Sequence, residues 1–156
     1  MITVIVEIDA PVESVWAVVE PVEDHVRWMH DAVAIRFTTD QTRGAGTRFD
    51  CDTKIGPVRL VDHMEITEWD PCLVIGVRHT GLVTGTGRFT LESIDLDRRT
   101  RFTWSEQLRF PWWLGGPLGA RVGGRAVMGP LWRRNLRELK RLVELGQTEL
   151  GQVEPG

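Results

Sequence analysis

The sequence CLVIGVRHTGLVTGTGRFTLESIDLDRRTRFTWSEQLR occupies residues 72–109 and is rich in β-branched and aromatic residues. These residues fall into three runs, at 72–80, 83–93 and 99–109. Gly81 separates the first two runs, and Asp95-Leu96-Asp97 separates the last two. Short runs of this composition, divided by turn residues, are typical of consecutive antiparallel strands. The stretch therefore predicts three strands of a meander.

The same pattern extends back to Ala32. Three further runs rich in strand-forming residues lie at 32–39, 46–54 and 57–68, with turn signals at Gly44, Gly56-Pro57 and Asp70-Pro71. Before them, residues 2–9 alternate apolar and polar, which places Val4 and Ile8 on the same face of a half-buried strand. Together these runs predict seven strands in one antiparallel sheet.

Helical spacing appears on both sides of these strands. Apolar residues recur every three or four positions over residues 12–19 and again over 22–29, so two short helices are expected directly after the first strand. A third helical pattern covers residues 131–143. It predicts a long C-terminal helix that ends near Gly146.

A glycine-rich stretch, residues 115–129, precedes this last helix. Pro130 lies inside the helical pattern, where proline removes a backbone hydrogen bond and clashes with the preceding turn. We therefore expect a kink or a break near Gly129. Residues 1–146 are predicted to form a single α+β domain, and residues 147–156 a frayed tail.

The composition excludes several classes of function. The chain has 156 residues, which is about one domain and leaves no room for a separate cofactor domain. It contains seven Trp and no Tyr, and its only lysines are Lys54 and Lys140, so a catalytic tyrosine is impossible and a lysine Schiff base has little scope. The net charge of -3 gives no overall attraction to nucleic acid or anionic membranes. No apolar run of about 18 residues occurs, so no membrane insertion is expected.

The sequence contains no metal or cofactor motif, and we predict neither. The histidines fall in different predicted elements: His25, His30, His63 and His79. No His-x-x-x-His or Cys-x-x-Cys pair occurs. Cys51 and Cys72 are too few for a disulfide framework, and the N-terminus lacks a secretory pattern, which indicates a cytoplasmic protein with reduced thiols. Cys51 shares a strand face with apolar neighbours and is expected to be inert.

The order of the predicted elements resembles that of the START-like superfamily, also labelled SRPBCC, which has the helix-grip fold. The polyketide cyclase/dehydrase and lipid-transport branch is the nearest. The residues that carry this resemblance are Trp28, just before the second strand, and four segments: IVEIDAPVESVWAVV (5–19), GAGTRFDC (44–51), HMEITEWDP (63–71) and WSEQLRFP (104–111). The resemblance covers about residues 1–145. It implies a curved seven-stranded antiparallel sheet that grips the C-terminal helix around an apolar cavity.

Such folds host many functions, so the resemblance leaves the activity open. The leading hypothesis is a binding protein, rather than an enzyme, that holds a small hydrophobic ligand such as a lipid or a polyketide-like compound. In this hypothesis residues 115–129 act as a portal, because glycine lowers helix stability by up to about 1 kcal/mol per residue. The second hypothesis is a polyketide cyclase or dehydratase. The third is a protein- or ribosome-interaction module that uses the basic C-terminal helix.

Glu106 is the main candidate for chemistry. In the last predicted strand it shares a face with Trp104 and Leu108. A carboxyl group among apolar neighbours has a raised pKa unless a cation pairs with it, so Glu106 could act as a general acid or base. In a cyclase, an arginine would orient the ligand carbonyl beside it. The alternative is an ordinary buried Glu–Arg pair.

Several other residues are expected near the implied cavity. Tryptophans suit the wall of an apolar pocket and suit a plain core equally well. Arg48, His63 and Arg78 are weaker candidates, because the pattern does not show which face of the strand each of them occupies. The full set predicted to line the cavity is Trp28, Arg48, His63, Arg78, Trp104, Glu106, Trp112, Trp113, Met128 and Trp132.

The charges are unevenly distributed along the chain. From Arg109 to Arg141 there are eight basic residues and one acid, whereas residues 1–31 hold seven acids and one arginine. These two regions are expected to face each other in the helix-grip fold. The alternative is a basic helix that lies on an anionic membrane or on RNA.

Overall fold

The computed structural model describes residues 1–112 and 124–151. Its strands are β1 (Ile2–Ile8), β2 (Ala32–Phe37), β3 (Arg48–Ile55), β4 (Val58–Asp70), β5 (Val74–Thr80), β6 (Thr84–Ile94) and β7 (Arg99–Arg109). They form one antiparallel sheet in the order β1-β7-β6-β5-β4-β3-β2. The predicted seven-stranded meander is confirmed.

Short helices and one long helix complete the α+β fold. They are α1 (Val12–Val19), a 3₁₀ helix (Val22–Arg27), a π-helical turn (Gly124–Met128) and α2 (Gly129–Gly151). Pro130 lies in the first turn of α2, where its missing N–H is not needed, and the hydrogen bonding changes from π to α beside it. Within the described residues, no helix is both long and apolar enough to cross a membrane.

The predicted end of the last helix is wrong, because α2 continues past Gly146 to Gly151. A single glycine lowers helix stability by about 1 kcal/mol without ending the helix. Beyond it, Gln147 Nε2 donates a 3.1 Å hydrogen bond to Ser14 Oγ of α1. This contact helps to hold the last turns of α2 against the N-terminal part of the domain.

The core lies between the inner face of the sheet and α2. Trp132, Leu139 and Val143 follow helical spacing and are buried on one face of α2. They belong to the same cluster as inward-facing strand residues such as Val4 and Phe102. Full burial of one such side chain contributes about 1.5–3 kcal/mol. Apolar packing therefore holds α2 over the sheet.

The meander gives the sheet two ends. The β3–β4 and β5–β6 turns lie at one end, together with the start of β2 and the C-terminus of β7. The β4–β5 and β6–β7 turns lie at the opposite end. We call the first the cavity end, because the cavity described below lies there.

Candidate active site

Two glycines of β6 create space on the inner face of the sheet. Gly85 lies opposite His79 of β5, and Gly87 lies opposite Glu106 of β7. A Cβ atom on Gly87 would lie 3.0 Å from Glu106 Oε1 and 3.1 Å from Glu106 Cγ. Because β6 has no side chains on its inner face here, groups from the two flanking strands approach one another above it.

A buried histidine and a buried aspartate adjoin this space. His79 Nδ1 lies 2.6 Å from Asp62 Oδ2 of β4, and the two side chains are 5% and 11% exposed. Since a carboxylate accepts hydrogen bonds, Nδ1 donates this one and Nε2 is left for a second partner. Nε2 lies 3.9 Å from Glu106 Oε1 and has no hydrogen-bond partner among the described residues. His79 thus presents a buried, unused polar atom towards Glu106.

Glu106 has mostly apolar surroundings. Its side chain is 10% exposed, and Trp104 Nε1 donates a 3.0 Å hydrogen bond to Oε1. Burial raises the pKa of Glu106 to about 7, although the charge of His79 and the hydrogen bond from Trp104 oppose this increase. The carboxyl groups of Asp62 and Asp31 add to it. Glu106 can therefore change its protonation state near neutral pH.

The pKa of His79 is raised above its usual value. Burial by itself lowers this pKa, but the hydrogen bond to Asp62 and the charges of Glu106 and Asp62 together outweigh burial. These groups favour the imidazolium form, in which Nε2 is a donor that faces Glu106. His79 and Glu106 form a coupled pair that can take up or release a proton.

These three polar side chains line one cavity. Its volume is about 80 Å³, equivalent to two or three water molecules at roughly 30 Å³ each. Asp31 and Cys51 are further polar lining residues. Apolar side chains form much of the remaining wall, among them Met29, Leu108, Phe110, Met128 and Trp132. No arginine or lysine of the described part of the chain lines it.

Helix α2 closes the cavity opposite the sheet. Trp132 lines it and stacks on Trp104 with 4.8 Å between the ring centroids. The fully buried Asn135 ties α2 to the start of β2: its Nδ2 donates to Asp31 Oδ1 at 2.7 Å, and its Oδ1 accepts from the backbone N–H of His30 at 3.0 Å. These contacts fix the position of α2 relative to the cavity.

Cys51 does not have the properties of a nucleophile. Burial raises the pKa of its thiol to about 11, so the thiolate is scarce at neutral pH.

Within residues 1–112 and 124–151, no three His, Cys, Asp or Glu side chains have an arrangement suited to a metal ion.

Only some of the residues predicted to line the cavity lie in its wall. Glu106, Met128 and Trp132 line the cavity. Trp104 does not line it but contacts Glu106 and Trp132, which do. Trp28 is buried in the core, with 6.2 Å between its ring centroid and that of Trp104. Glu106 has no arginine partner in the described part of the chain, and its nearest polar neighbours are Trp104 and His79.

The other nominated residues lie elsewhere. Arg48 and Arg78 contact Glu65, and His63 contacts Asp50, all on the outer face of the sheet. Trp112 is 85% exposed. Trp113 and residues 115–123 of the suggested portal lie outside the described residues. No nominated arginine is therefore placed to orient a carbonyl in this cavity.

Sequence reasoning did not nominate His79, Asp62 or Gly87 for the site. Strand alternation carried part of the signal, because His79 is two residues from the inward-facing Val77, and Asp62 is two residues from Met64, which also lines the cavity. A polar residue on an apolar strand face is the pattern that identified Glu106. The pairing of the three groups depends on strand register, which the pattern does not specify.

A curved seven-stranded sheet that holds a long C-terminal helix over a small, partly polar cavity defines a START-like protein of the helix-grip fold. The model of one family, described as polyketide cyclase/dehydrase and lipid transport, matches residues 1–144. The chain belongs to this family, and the resemblance noted from the sequence is confirmed. No curated protein sequence matches the chain significantly.

Several solved structures have the same fold. The Zhui aromatase/cyclase from Streptomyces sp. R1128 aligns with a TM-score of 0.73 and 18% identity over 92% of each chain. A protein from Thermus thermophilus aligns with a TM-score of 0.72 and 18% identity, covering 93% of this chain and 97% of that one. A START superfamily protein from Mycobacterium smegmatis aligns with a TM-score of 0.68 and 14% identity, covering 92% of this chain and 97% of that one. At these identities the similarity establishes the fold alone.

Proposed function

We propose that the protein is an acid–base enzyme of the cyclase/dehydratase type, which binds a small, mostly apolar carbonyl compound and moves protons through Glu106 and His79. The observation that carries this proposal is the buried Glu106 carboxyl, 3.9 Å from His79 Nε2, which has no hydrogen-bond partner in the described part of the chain. Titratable groups with shifted pKa values that meet in a cavity are typical of acid–base sites. The cyclase and dehydrase members of the family support the same class of reaction.

Enolisation of a ketone illustrates the two roles. The Glu106 carboxylate removes a proton from the carbon next to the carbonyl, and the His79 imidazolium donates its Nε2 proton to the carbonyl oxygen. The products are the enol, a protonated Glu106 and a neutral His79. Asp62 stabilises the imidazolium and keeps Nδ1 as the donor, so that Nε2 is the atom that exchanges the proton.

Loss of water from a β-hydroxy ketone uses the same groups. Glu106 removes the α proton, and the electron pair of that C–H bond forms the new C=C bond. The C–O bond at the β carbon breaks, and His79 protonates the departing hydroxyl so that it leaves as water. In this reaction His79, rather than an arginine, binds the ligand oxygen, because its Nε2 can also donate a hydrogen bond.

The volume of the cavity limits what binds without movement. Pockets for drug-sized ligands usually measure about 300–1,000 Å³, whereas this cavity measures about 80 Å³. It therefore accepts only the reacting end of a larger molecule. Met29 and Met128 line it, and unbranched methionine side chains change rotamer readily. We infer that these side chains move when a larger ligand binds.

Exchange of the α protons of 2-butanone in D₂O, followed by ¹H NMR, tests the proposal with the full chain. The wild type should accelerate exchange over buffer, and Glu106→Gln should lower the rate about a hundredfold, a typical contribution of a general base. Glu92→Gln makes the same chemical change on the exposed outer face of β6 and should have no effect. Equal rates for the wild type and Glu106→Gln would remove Glu106 from the mechanism.

Binding of an apolar ligand without chemistry is the second candidate function. The apolar part of the cavity wall and the lipid-transport members of the family favour it. Native mass spectrometry of the freshly purified protein tests it. An apolar molecule retained equally by the wild type and Glu106→Gln, with no exchange activity in either, would favour a binding protein over an enzyme.

A further inference from the structure

The basic side chains of the described residues divide into two groups. Most lie in ion pairs with a carboxylate, as Arg88 does with Glu68. Six have no such partner in the described part of the chain: Lys54, Arg59, Arg109, Arg133, Arg134 and Arg137. The undescribed residues 113–123 contain no Asp or Glu, so that segment offers no carboxylate either.

These six cations gather at the cavity end. Lys54 and Arg59 flank the β3–β4 turn, and Arg109 is the last residue of β7. Arg133 directly follows Trp132, which lines the cavity from α2. The remaining two continue the exposed face of the helix at positions 134 and 137. The cations that have no carboxylate partner in the described part of the chain therefore share one end of the domain.

Exposed apolar side chains surround the same end. They are Val58 (40% exposed), Leu82 (46%), Trp112 (85%) and Val127 (51%). Each lies within two residues of a side chain that lines the cavity. A cluster of exposed apolar residues near a cavity often marks an interaction site, whereas isolated ones do not.

The opposite end of the sheet differs in its charge, although Leu73 and Leu96 are exposed there as well. Its two turns carry Asp70, Asp95 and Asp97, all exposed. The chain has a formal net charge of -3, so the basic cavity end is not evident from the total. The expected facing of N-terminal acids and C-terminal cations holds for Lys140, whose Nζ lies 3.7 Å from Asp9 Oδ2. Among the described residues, the arginines at positions 133, 134 and 137 have no ion pair with an N-terminal acid.

We propose that the cavity end docks on the surface of an anionic phospholipid membrane, without insertion of a helix. Guanidinium groups donate paired hydrogen bonds to phosphate oxygens, and their charge is attracted to anionic headgroups. Tryptophan and aliphatic side chains between such cations favour the headgroup boundary of a bilayer. A membrane fits this mixture better than an acidic protein, because mobile lipids match scattered cations and apolar side chains together. Docking would turn the cavity towards a source of apolar ligands, whether or not Glu106 performs chemistry.

Sedimentation of the full chain with vesicles tests the proposal. Vesicles of phosphatidylcholine with about one third phosphatidylglycerol are compared with vesicles of phosphatidylcholine alone, at about 0.05 and 0.3 M NaCl. Binding is expected only to the anionic vesicles and should weaken at the higher salt concentration. Replacement of Arg133 and Arg134 by Gln together should lower the partition coefficient about tenfold or more.

Matched variants locate the surface. Arg88→Gln with Arg98→Gln removes the same charge away from the cavity end and should bind nearly as the wild type does. Trp112→Ser should weaken binding, whereas Leu96→Ser, a change of an exposed apolar residue at the opposite end, should not. Absence of binding to anionic vesicles, or equal losses from both arginine pairs, would overturn the proposal. Binding to poly-L-glutamate but not to vesicles would indicate an acidic protein partner and would overturn it as well.

Discussion

The two faces of the sheet carry the same pair of residue types at the same distance. On the outer face, His63 Nδ1 lies 2.6 Å from Asp50 Oδ1, and on the inner face His79 Nδ1 lies 2.6 Å from Asp62 Oδ2. The outer side chains are 54% and 26% exposed, against 5% and 11% for the inner pair. Contact distance therefore does not distinguish a candidate site from a pair on the surface, whereas the burial of the two side chains does.

A third group adds to the difference. His79 Nε2 faces Glu106 across the glycines of β6, and all three polar groups line one cavity. Water competes with and screens the outer pair, which limits its strength to roughly 0–1 kcal/mol. The inner side chains are largely buried, so each depends more strongly on the others to remain charged. The inner pair is thus the one in which protonation is sensitive to a ligand.

The largest difference is expected when each aspartate is truncated. Asp62→Ala leaves His79 buried without its carboxylate partner and should lower the free energy of unfolding by about 3–5 kcal/mol. Asp50→Ala on the outer face should lower it by less than about 1 kcal/mol. Urea unfolding followed by tryptophan fluorescence measures both. Similar losses for the two variants would contradict the distinction between the faces.

The pH dependence of stability should also differ between the faces. The folded pKa of Glu106 is about 7 against 4.5 for the free side chain, so the folded state holds this proton more tightly. Its contribution to stability is full below about pH 4.5 and is lost as the pH rises through 7, by about 3 kcal/mol in total. The difference in unfolding free energy between the wild type and Glu106→Gln should fall as the pH rises, and it reports the coupled pair, because the charge of Glu106 also raises the pKa of His79. Urea unfolding at several pH values measures it.

Comparison with a variant also removes a confounding histidine. Burial lowers the pKa of His25 to about 4, so its contribution runs the other way and is gained as the pH rises from about 4 to 6.5. His25 is present in both the wild type and Glu106→Gln, so its effect cancels in the difference. Glu92→Gln makes the same chemical change on the outer face and serves as the matched control. A flat profile for Glu106→Gln would mean that Glu106 titrates normally.

The sequence was sufficient for the fold because the fold depends on local signals. Alternation and turn residues set the strands, and the alternation of β7 correctly put Glu106 on the face of Trp104 and Leu108. The partners of Glu106 could not be predicted from such local signals. His79 reaches it across a whole intervening strand, and this approach depends on the register that brings Gly85 and Gly87 between them. Register is a tertiary property, and no single strand specifies it.

The glycine between the strands offers a smaller test. Gly87→Ala would place a Cβ 3.0 Å from Glu106 Oε1 and 3.1 Å from Val77 Cγ2, and such overpacking typically costs about 1–3 kcal/mol. Thr86→Ala, on the outer face of the same strand, should change stability by less than about 0.5 kcal/mol. Thermal or urea unfolding measures both. If Gly87 serves to admit Glu106, the cost of Gly87→Ala should decrease in a Glu106→Ala background.

The smallest effect should come from the outer pair itself. In a double-mutant cycle of His63→Asn and Asp50→Asn, the coupling energy should be below about 1 kcal/mol and should shrink between about 0.05 and 0.5 M NaCl. The same cycle on His79 and Asp62 should give a larger coupling that salt barely changes, because no ions reach the buried pair. Salt sensitivity separates the faces even where total stabilities are similar. An inner coupling that salt screens as strongly as the outer one would mean that solvent reaches His79, and the cavity would then be open to water in solution.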